Sequence, residues 1–257
     1  MDHVIDRSHG DFEHPAIRRV RALQPLAWLR LGYSDLAKSG VHSFAHGAGV
    51  AVLGVLLLML VWRAPYMVPA YLGGFLLVAP FAAIGLYAIS RQLDQGQAID
   101  PRAALRAWRD NAGSVALFGL MLAVALIFWE RAAAVLFALL YSGSAPDASR
   151  LLEDLLFSGR QSALLLAFFG AGAVLATVVF TLSVVTVPML LDRPVDVITA
   201  ALTSLRCCAR NPAAMAVWAV LIAGLTILGF ATAMLGLVVV FPLLGHASWR
   251  AYRDMVD

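Results

Sequence analysis

Ionisable side chains are scarce in this chain, so the few beside apolar runs are where any chemistry would have to be done. His42 and His46 are four residues apart, which sets both imidazoles on one helix face at the entrance to an apolar run. Asp192 and Arg193 close another such run, Asn211 opens a third, and His246 ends a fourth. A carboxylate beside imidazoles is an acid–base pair or a set of transition-metal ligands. One reading is therefore a metal- or haem-associated redox accessory protein using His42, His46 and His246. The plainer reading is a ring of polar helix ends at headgroup level, where membrane proteins keep such groups. The second reading requires no cofactor and no metal, and none is expected.

Three prolines form a second candidate set. Pro80, Pro188 and Pro242 each follow an apolar or β-branched run: Leu-Leu-Val-Ala-Pro80, Val-Val-Thr-Val-Pro188 and Val-Val-Val-Phe-Pro242. Proline inside a helix removes one donor, freeing the carbonyl four residues back, here Leu76, Val184 and Val238. Such carbonyls either bind a cation in a carrier or mark a kink that aids packing. Four residues beyond the prolines stand Ile84, Asp192 and His246, so a true repeat would bring Asp192 and His246 to one depth.

The elements that must position these residues are membrane helices. The chain has 257 residues, of which 61% are hydrophobic and 14% charged, with a mean hydropathy of +0.81. That leaves too few polar side chains to cover a water-facing surface, which excludes a soluble enzyme and a disordered chain. The motifs Gly-x-x-x-x-Gly-Lys, Cys-x-x-Cys, His-Glu-x-x-His and Gly-x-Ser-x-Gly are absent. No basic run interleaves with aromatics, so nucleic acid is not an expected partner. Cys207 and Cys208 are adjacent and read as small apolar residues.

A crossing needs about 20 apolar residues. Residues 44–62, 66–90, 114–129 and 163–191 supply four, with a turn at Arg63, Ala64 and Pro65 between the first two. Ala213 to Gly245 has no charge over 33 residues, about 50 Å as one helix, so it folds into two spans around residues 229–232. Residues 132–141 and the amphipathic 147–157 are expected to lie at the outer interface. Six spans put both termini on one side. Of the 19 Lys and Arg, 15 fall on that side, against Arg63, Arg131, Arg150 and Arg160 on the other, so both termini are expected in the cytoplasm. Glu130 and Arg131 read as a solvated pair, and Gly170 with Gly172 as a close-packing face.

An amphipathic helix is expected before each span pair: Leu26, Leu29, Tyr33 and Leu36 against Arg30, Ser34, Asp35 and Lys38; Ala104, Leu105 and Trp108 against Arg102, Arg106, Arg109 and Asp110; and Ile198, Ala201, Leu202, Leu205 and Cys208 with Arg206 and Arg210 off the face. The fold class is therefore all-α integral membrane: six transmembrane helices as three repeats, 25–95, 100–193 and 196–256, each an interfacial amphipathic helix plus a helical hairpin. Residues 1–24 are expected to be a flexible cytosolic tail before a single membrane domain, 25–257.

Four stretches carry a resemblance: Val-Val-Phe-Thr-Leu-Ser-Val-Val-Thr-Val-Pro-Met-Leu-Leu-Asp-Arg (178–193), Thr-Ala-Ala-Leu-Thr-Ser-Leu-Arg (199–206), Asn-Pro-Ala-Ala-Met-Ala-Val-Trp-Ala (211–219) and Leu-Gly-His-Ala-Ser-Trp-Arg-Ala-Tyr-Arg (244–253). Over about residues 20 to 255 the chain resembles the bacterial inner-membrane family designated domain of unknown function 2189. Arg250 departs from the pattern, which leads to a second histidine there, so no role resting on a His pair carries over. The resemblance implies a multi-pass protein of the bacterial inner (cytoplasmic) membrane and brings no activity with it. The function expected is non-enzymatic, exerted through membrane lipids, a membrane-protein partner or a second copy of the chain. A small-solute carrier or channel is the alternative, and the redox accessory protein the next.

Overall fold

The computed structural model describes residues 15–63, 68–141 and 159–257. They are helical apart from one isolated β-bridge, Ile17 to Val256. The helices are α1 (Gln24–Ser39), α2 (Val41–Arg63), α3 (Val68–Ala82), α4 (Ile84–Asp94), α5 (Pro101–Arg106), α6 (Ala112–Leu140), α7 (Ser162–Ser183), α8 (Thr186–Asp192), α9 (Val197–Arg210), α10 (Pro212–Ala231) and α11 (Leu237–Met255), with a 3-10 turn Ala107–Asn111 ahead of α6.

Three hairpins rise from one end of the molecule, the base, and return to it. Asn211, at the start of α10, and Asp257, just after α11, both bond the segment 16–20: Val20 N–H donates to Asn211 Oδ1 (2.8 Å), and Asp257 N–H to Ala16 O (3.0 Å). The ends of α4 and α8 reach the same place, through Asp94 to Trp249 and Asp192 to Tyr252. Residues 16–20, expected to belong to a flexible tail, are instead fastened to the C-terminus.

Among the described residues, five stretches are long and apolar enough to cross a membrane: Val41–Leu60, Tyr71–Asp94, Pro101–Leu140, Ser162–Asp192 and Pro212–Ala231. The sixth expected span, α11, does not qualify, because His246, Arg250, Arg253 and Asp254 occupy its second half. It returns to the base with that half clothed by α1, α2 and α4. The turn before it falls at residues 232–236, slightly later than expected, with Ala233 and Met234 in the left-handed region. Residues 132–140 continue α6 instead of forming a separate interfacial piece; the helix has 29 residues, about 43 Å against a core of about 30 Å. Glu130 is half-buried, and its Oε1 is shielded without a hydrogen-bond partner among the described residues. The expected turn residues Ala64 and Pro65 and the amphipathic 147–157 lie outside the described residues.

Two of the prolines coincide with breaks. The helix bearing Pro80 breaks at Ala83, between α3 and α4. The break before Pro188 falls at Val184–Val185 and has a visible cause. Ser204 Oγ accepts from Val185 N–H (3.2 Å) and donates to Thr181 O (2.7 Å), standing between a donor and acceptor that a continuous helix would pair. Pro242 leaves α11 unbroken. The carbonyl it frees, Val238 O, lies against Gly47 of α2 so closely that no Cβ fits there. A Cβ on Gly32 of α1 would likewise stand 2.7 Å from Ala247 N. Small residues let α1 and α2 press directly onto α11.

Candidate functional site

The base assembles around α11. Its second half presents His246, Trp249, Arg250, Tyr252 and Arg253 at successive turns, and α1, α2, α4 and α8 each supply partners to them.

His246 is fully buried and lies between two serines: Ser43 Oγ is 2.8 Å from Nε2 and Ser90 Oγ is 2.7 Å from Nδ1. Ser90 gives its own proton to Asp35 Oδ2 (2.9 Å), so Nδ1–H donates to Ser90 and Nε2 accepts from Ser43. Burial, with the charges of Arg250 and His46, pushes the imidazole down to about 3, which keeps it neutral. Ser39 Oγ lies 2.6 Å from Ser43 Oγ and 2.7 Å from Asp35 O; with the Ser43 proton on His246, the single Ser39 proton serves one of these two acceptors. The order Ser43–His246–Ser90–Asp35 resembles a nucleophile, base and orienter. Ser43 has 0% exposure, however, so no substrate carbonyl reaches its oxygen in this conformation.

Asp35, with 1% of its surface exposed, receives both Nε (2.8 Å) and Nη2 (2.7 Å) of Arg250. Arg250 also pairs with Asp94, which accepts the indole N–H of Trp249 at 2.8 Å. A planar fork joining two carboxylates is a task for arginine that neither histidine nor lysine performs. Arg250 thus stands at the centre of the network.

The expected meeting of Asp192 with His246 does not occur. Among the described residues no hydrogen bond or ion pair joins them. Asp192 accepts from Tyr252 Oη (2.7 Å) and pairs with Arg91 (3.5 Å) and Arg253 (3.3 Å), while Arg193 Nε donates to Tyr252 (3.0 Å). Burial, then the Asp192 carboxylate, pushes the Tyr252 phenol up, so it stays protonated and serves as donor. The repeat register places Asp192 and His246 alike in sequence, but α11 runs on for more than two turns beyond His246 and meets Asp192 with Tyr252 instead. Asn211 belongs to a third group, where its amide binds Val20 N–H, Arg18 O (3.0 Å) and Cys207 O (3.2 Å). His46 donates from Nδ1 to His42 O (2.9 Å), and its buried Nε2 faces Gly85 with no hydrogen-bond partner among the described residues. Among the described residues no group of three His, Cys, Asp or Glu is placed to hold a metal ion.

The interfacial faces also differ from expectation. Helix α1 buries Pro25, Trp28, Gly32, Asp35, Leu36 and Ser39 and turns Leu26 and Tyr33 outward. Helix α9 buries Ala200, Ala201, Thr203, Ser204, Cys207 and Cys208, burial pushing the two thiols up to about 12 and about 11. Its outer face carries Ile198, Leu202 and Leu205, 67%, 41% and 44% exposed, beside exposed Arg206 and Arg210. The helix expected over 102–110 is a six-residue α5 and a 3-10 turn, with Ala104 buried and Trp108 exposed.

Sequence reasoning missed Ser39, Ser43, Ser90, Asp94 and the inward aim of Asp35. One signal was available, since four hydroxyl or carboxylate residues close to apolar runs need partners once buried. It did not say which partners.

Residues 67–192 match the family described as predicted integral membrane protein, DUF2189. The match takes in the first quoted stretch through Asp192; those at 199–206, 211–219 and 244–253 lie beyond it. No curated protein and no solved structure matches the chain.

Proposed function

The chain belongs, through residues 67–192, to the DUF2189 family of integral membrane proteins, and from that premise we propose a six-span protein of the bacterial inner membrane with both termini cytoplasmic, acting without catalysis through lipids or a membrane-protein partner. The single observation that carries the lipid reading is the outer face of α9. Three large apolar side chains point away from the protein with two arginines beside them, while the small residues point in. A helix on a wet surface would do the reverse; this one suits the boundary between acyl chains and anionic headgroups.

Cyclic packing supports three repeats. Helix α1 packs on α11, α5 on α4 and α9 on α8, so each interfacial helix rests on the second helix of the preceding hairpin, the first on the last. Asn111 and Asn211 act alike, each bonding a segment that leads into an interfacial helix: Asn111 to Val195 O (2.9 Å) and Asn211 to Arg18 O. On this reading the apolar first half of α11, up to Gly245, completes the sixth crossing, and its polar half belongs to the cytoplasmic base. A carrier working through proline-freed carbonyls would need them open, whereas Gly47 covers Val238 O.

Two measurements test this reading. Reporter fusions after residues 100, 200 and 257 give cytoplasmic signals, and those near 64, 147 and 231 exterior ones. A dye on Leu202→Cys, in bilayers containing phosphatidylglycerol, is quenched by lipids spin-labelled near the headgroup. A cytoplasmic signal at 147 overturns the six-span count, and an unquenched dye overturns the lipid role of α9.

A further inference from the structure

A groove of about 410 Å³ opens on the side of the bundle where the Pro80 helix breaks. Phe81 and Ile84, on either side of the Ala83 break, form one wall. Ala112, Ala116 and Gly119 form the other, on one face of α6, and Trp108 closes the base end. The helical bonds Ala83 N–H to Ala79 O and Tyr87 N–H to Ala83 O (both 3.0 Å) carry the turn on, so Phe81 and Ile84 share one face, and the small residues of α6 opposite leave a trough.

Three observations say what fills it. The volume lies in the range of ligand pockets, roughly 300–1,000 Å³, and the lining is apolar, so water gains little there. Its α6 wall runs seven residues, about 10 Å or a third of the hydrocarbon core, and is flanked by outward Leu117 and Leu120. The mouth therefore faces acyl chains. At the closed end the charge is positive: exposed Arg102, Arg106 and Arg109 stand on the same short stretch against two exposed carboxylates, Asp100 and Asp110. The Arg109 guanidinium lies 5.7 Å from the Trp108 ring centroid, joining the apolar trough to a cation. Tryptophan beside arginine is also how proteins mark headgroup level.

We propose that this groove is a binding site for one anionic phospholipid, with an acyl chain lying over Ile84, Ala112 and Ala116 and the phosphate at Arg106 and Arg109. The site rests on the lipid reading above but not on α9. The small residues of α6 are then what make room for the chain.

The test is photolabelling of the full-length protein in phosphatidylcholine vesicles containing a phosphatidylglycerol with a diazirine in its acyl chain. Adducts concentrate at Phe81 and on residues 112–119, and unlabelled phosphatidylglycerol competes better than phosphatidylcholine. Ala116→Phe with Gly119→Leu lowers labelling of the groove about tenfold, a loss of about 1.4 kcal/mol in binding, whereas Val124→Phe on lipid-exposed α6 leaves it unchanged. Arg106→Gln with Arg109→Gln removes the preference for the anionic lipid. Adducts spread evenly over the exposed apolar faces, or equal competition by the two lipids, overturn the site. Both readouts come from the wild-type protein, so they stand even where a groove variant fails to fold. A quenched dye at residue 202 with evenly spread adducts sinks the groove alone; an unquenched dye with focused adducts sinks only the α9 role.

Discussion

The base and the bundle above it are held together in opposite ways. At the base, Trp28, Trp249, Tyr252, His246 and Asp35 are buried, and nearly every polar atom has a named partner. In the bundle, only 6% of the most apolar 18-residue stretch within Ser162–Asp192 is buried, and Leu166, Phe169, Val174 and Val178 point outward. Apolar side chains gain little from burial when the alternative is lipid, so the bundle needs few internal contacts. The base lies where water and headgroups compete, and there directional bonds and close backbone approach fix the arrangement. Stability and sensitivity should therefore sit at the base.

The largest expected effect is from Asp35→Ala. It strips Arg250 of a bidentate partner inside the protein and should cost about 3 kcal/mol, the lower end for a broken buried pair because Asp94 remains. Denaturant unfolding in detergent measures it; a cost below about 1 kcal/mol would place Asp35 at an exposed pair and erase the contrast. Next is Gly47→Ala, whose Cβ would collide with the Val238 carbonyl of α11, for a loss of about 1–3 kcal/mol. Gly170→Ala in the bundle meets nothing within 4 Å and should be neutral or stabilising by up to about 1 kcal/mol. Equal losses at the two glycines would show that both regions are packed alike.

Acid should act through His246. Its folded value of about 3 lies below the ordinary 6.5, so between those values the unfolded chain binds a proton that the folded one refuses. Stability falls as pH falls through that window, by up to about 1.4 kcal/mol per unit. Melts between pH 7 and 5, above the carboxylate range, should show the slope, and His246→Gln should flatten it. The smallest effect is a coupling. Asp192 and His246 share no partner, so Asp192→Ala and His246→Ala should add within about 0.5 kcal/mol. A larger coupling would show that the Tyr252 group and the His246 group act as one.

Hydropathy alone determined that this is a helical membrane protein, because apolar content and run length follow from the energetics of lipid whatever the packing. The return of both ends of the last hairpin to one base was legible for the same reason, since an uncharged run of that length cannot cross once. The sequence also marked Pro80 and Pro188 near breaks, but the break at Val184–Val185 is made by Ser204 of α9, which only tertiary packing brings there. Partners were another matter. Whether Asp35 faced water or Arg250, whether Asp192 met His246 or Tyr252, and whether Leu202 faced protein or lipid depended on the rotation of α1, α9 and α11 about their axes. That rotation is set by where Gly32 and Gly47 let backbones touch, a contact between residues more than 190 positions apart. Periodicity gives each helix a face, but α1 and α9 each have two apolar faces, and only tertiary packing chose which one to bury.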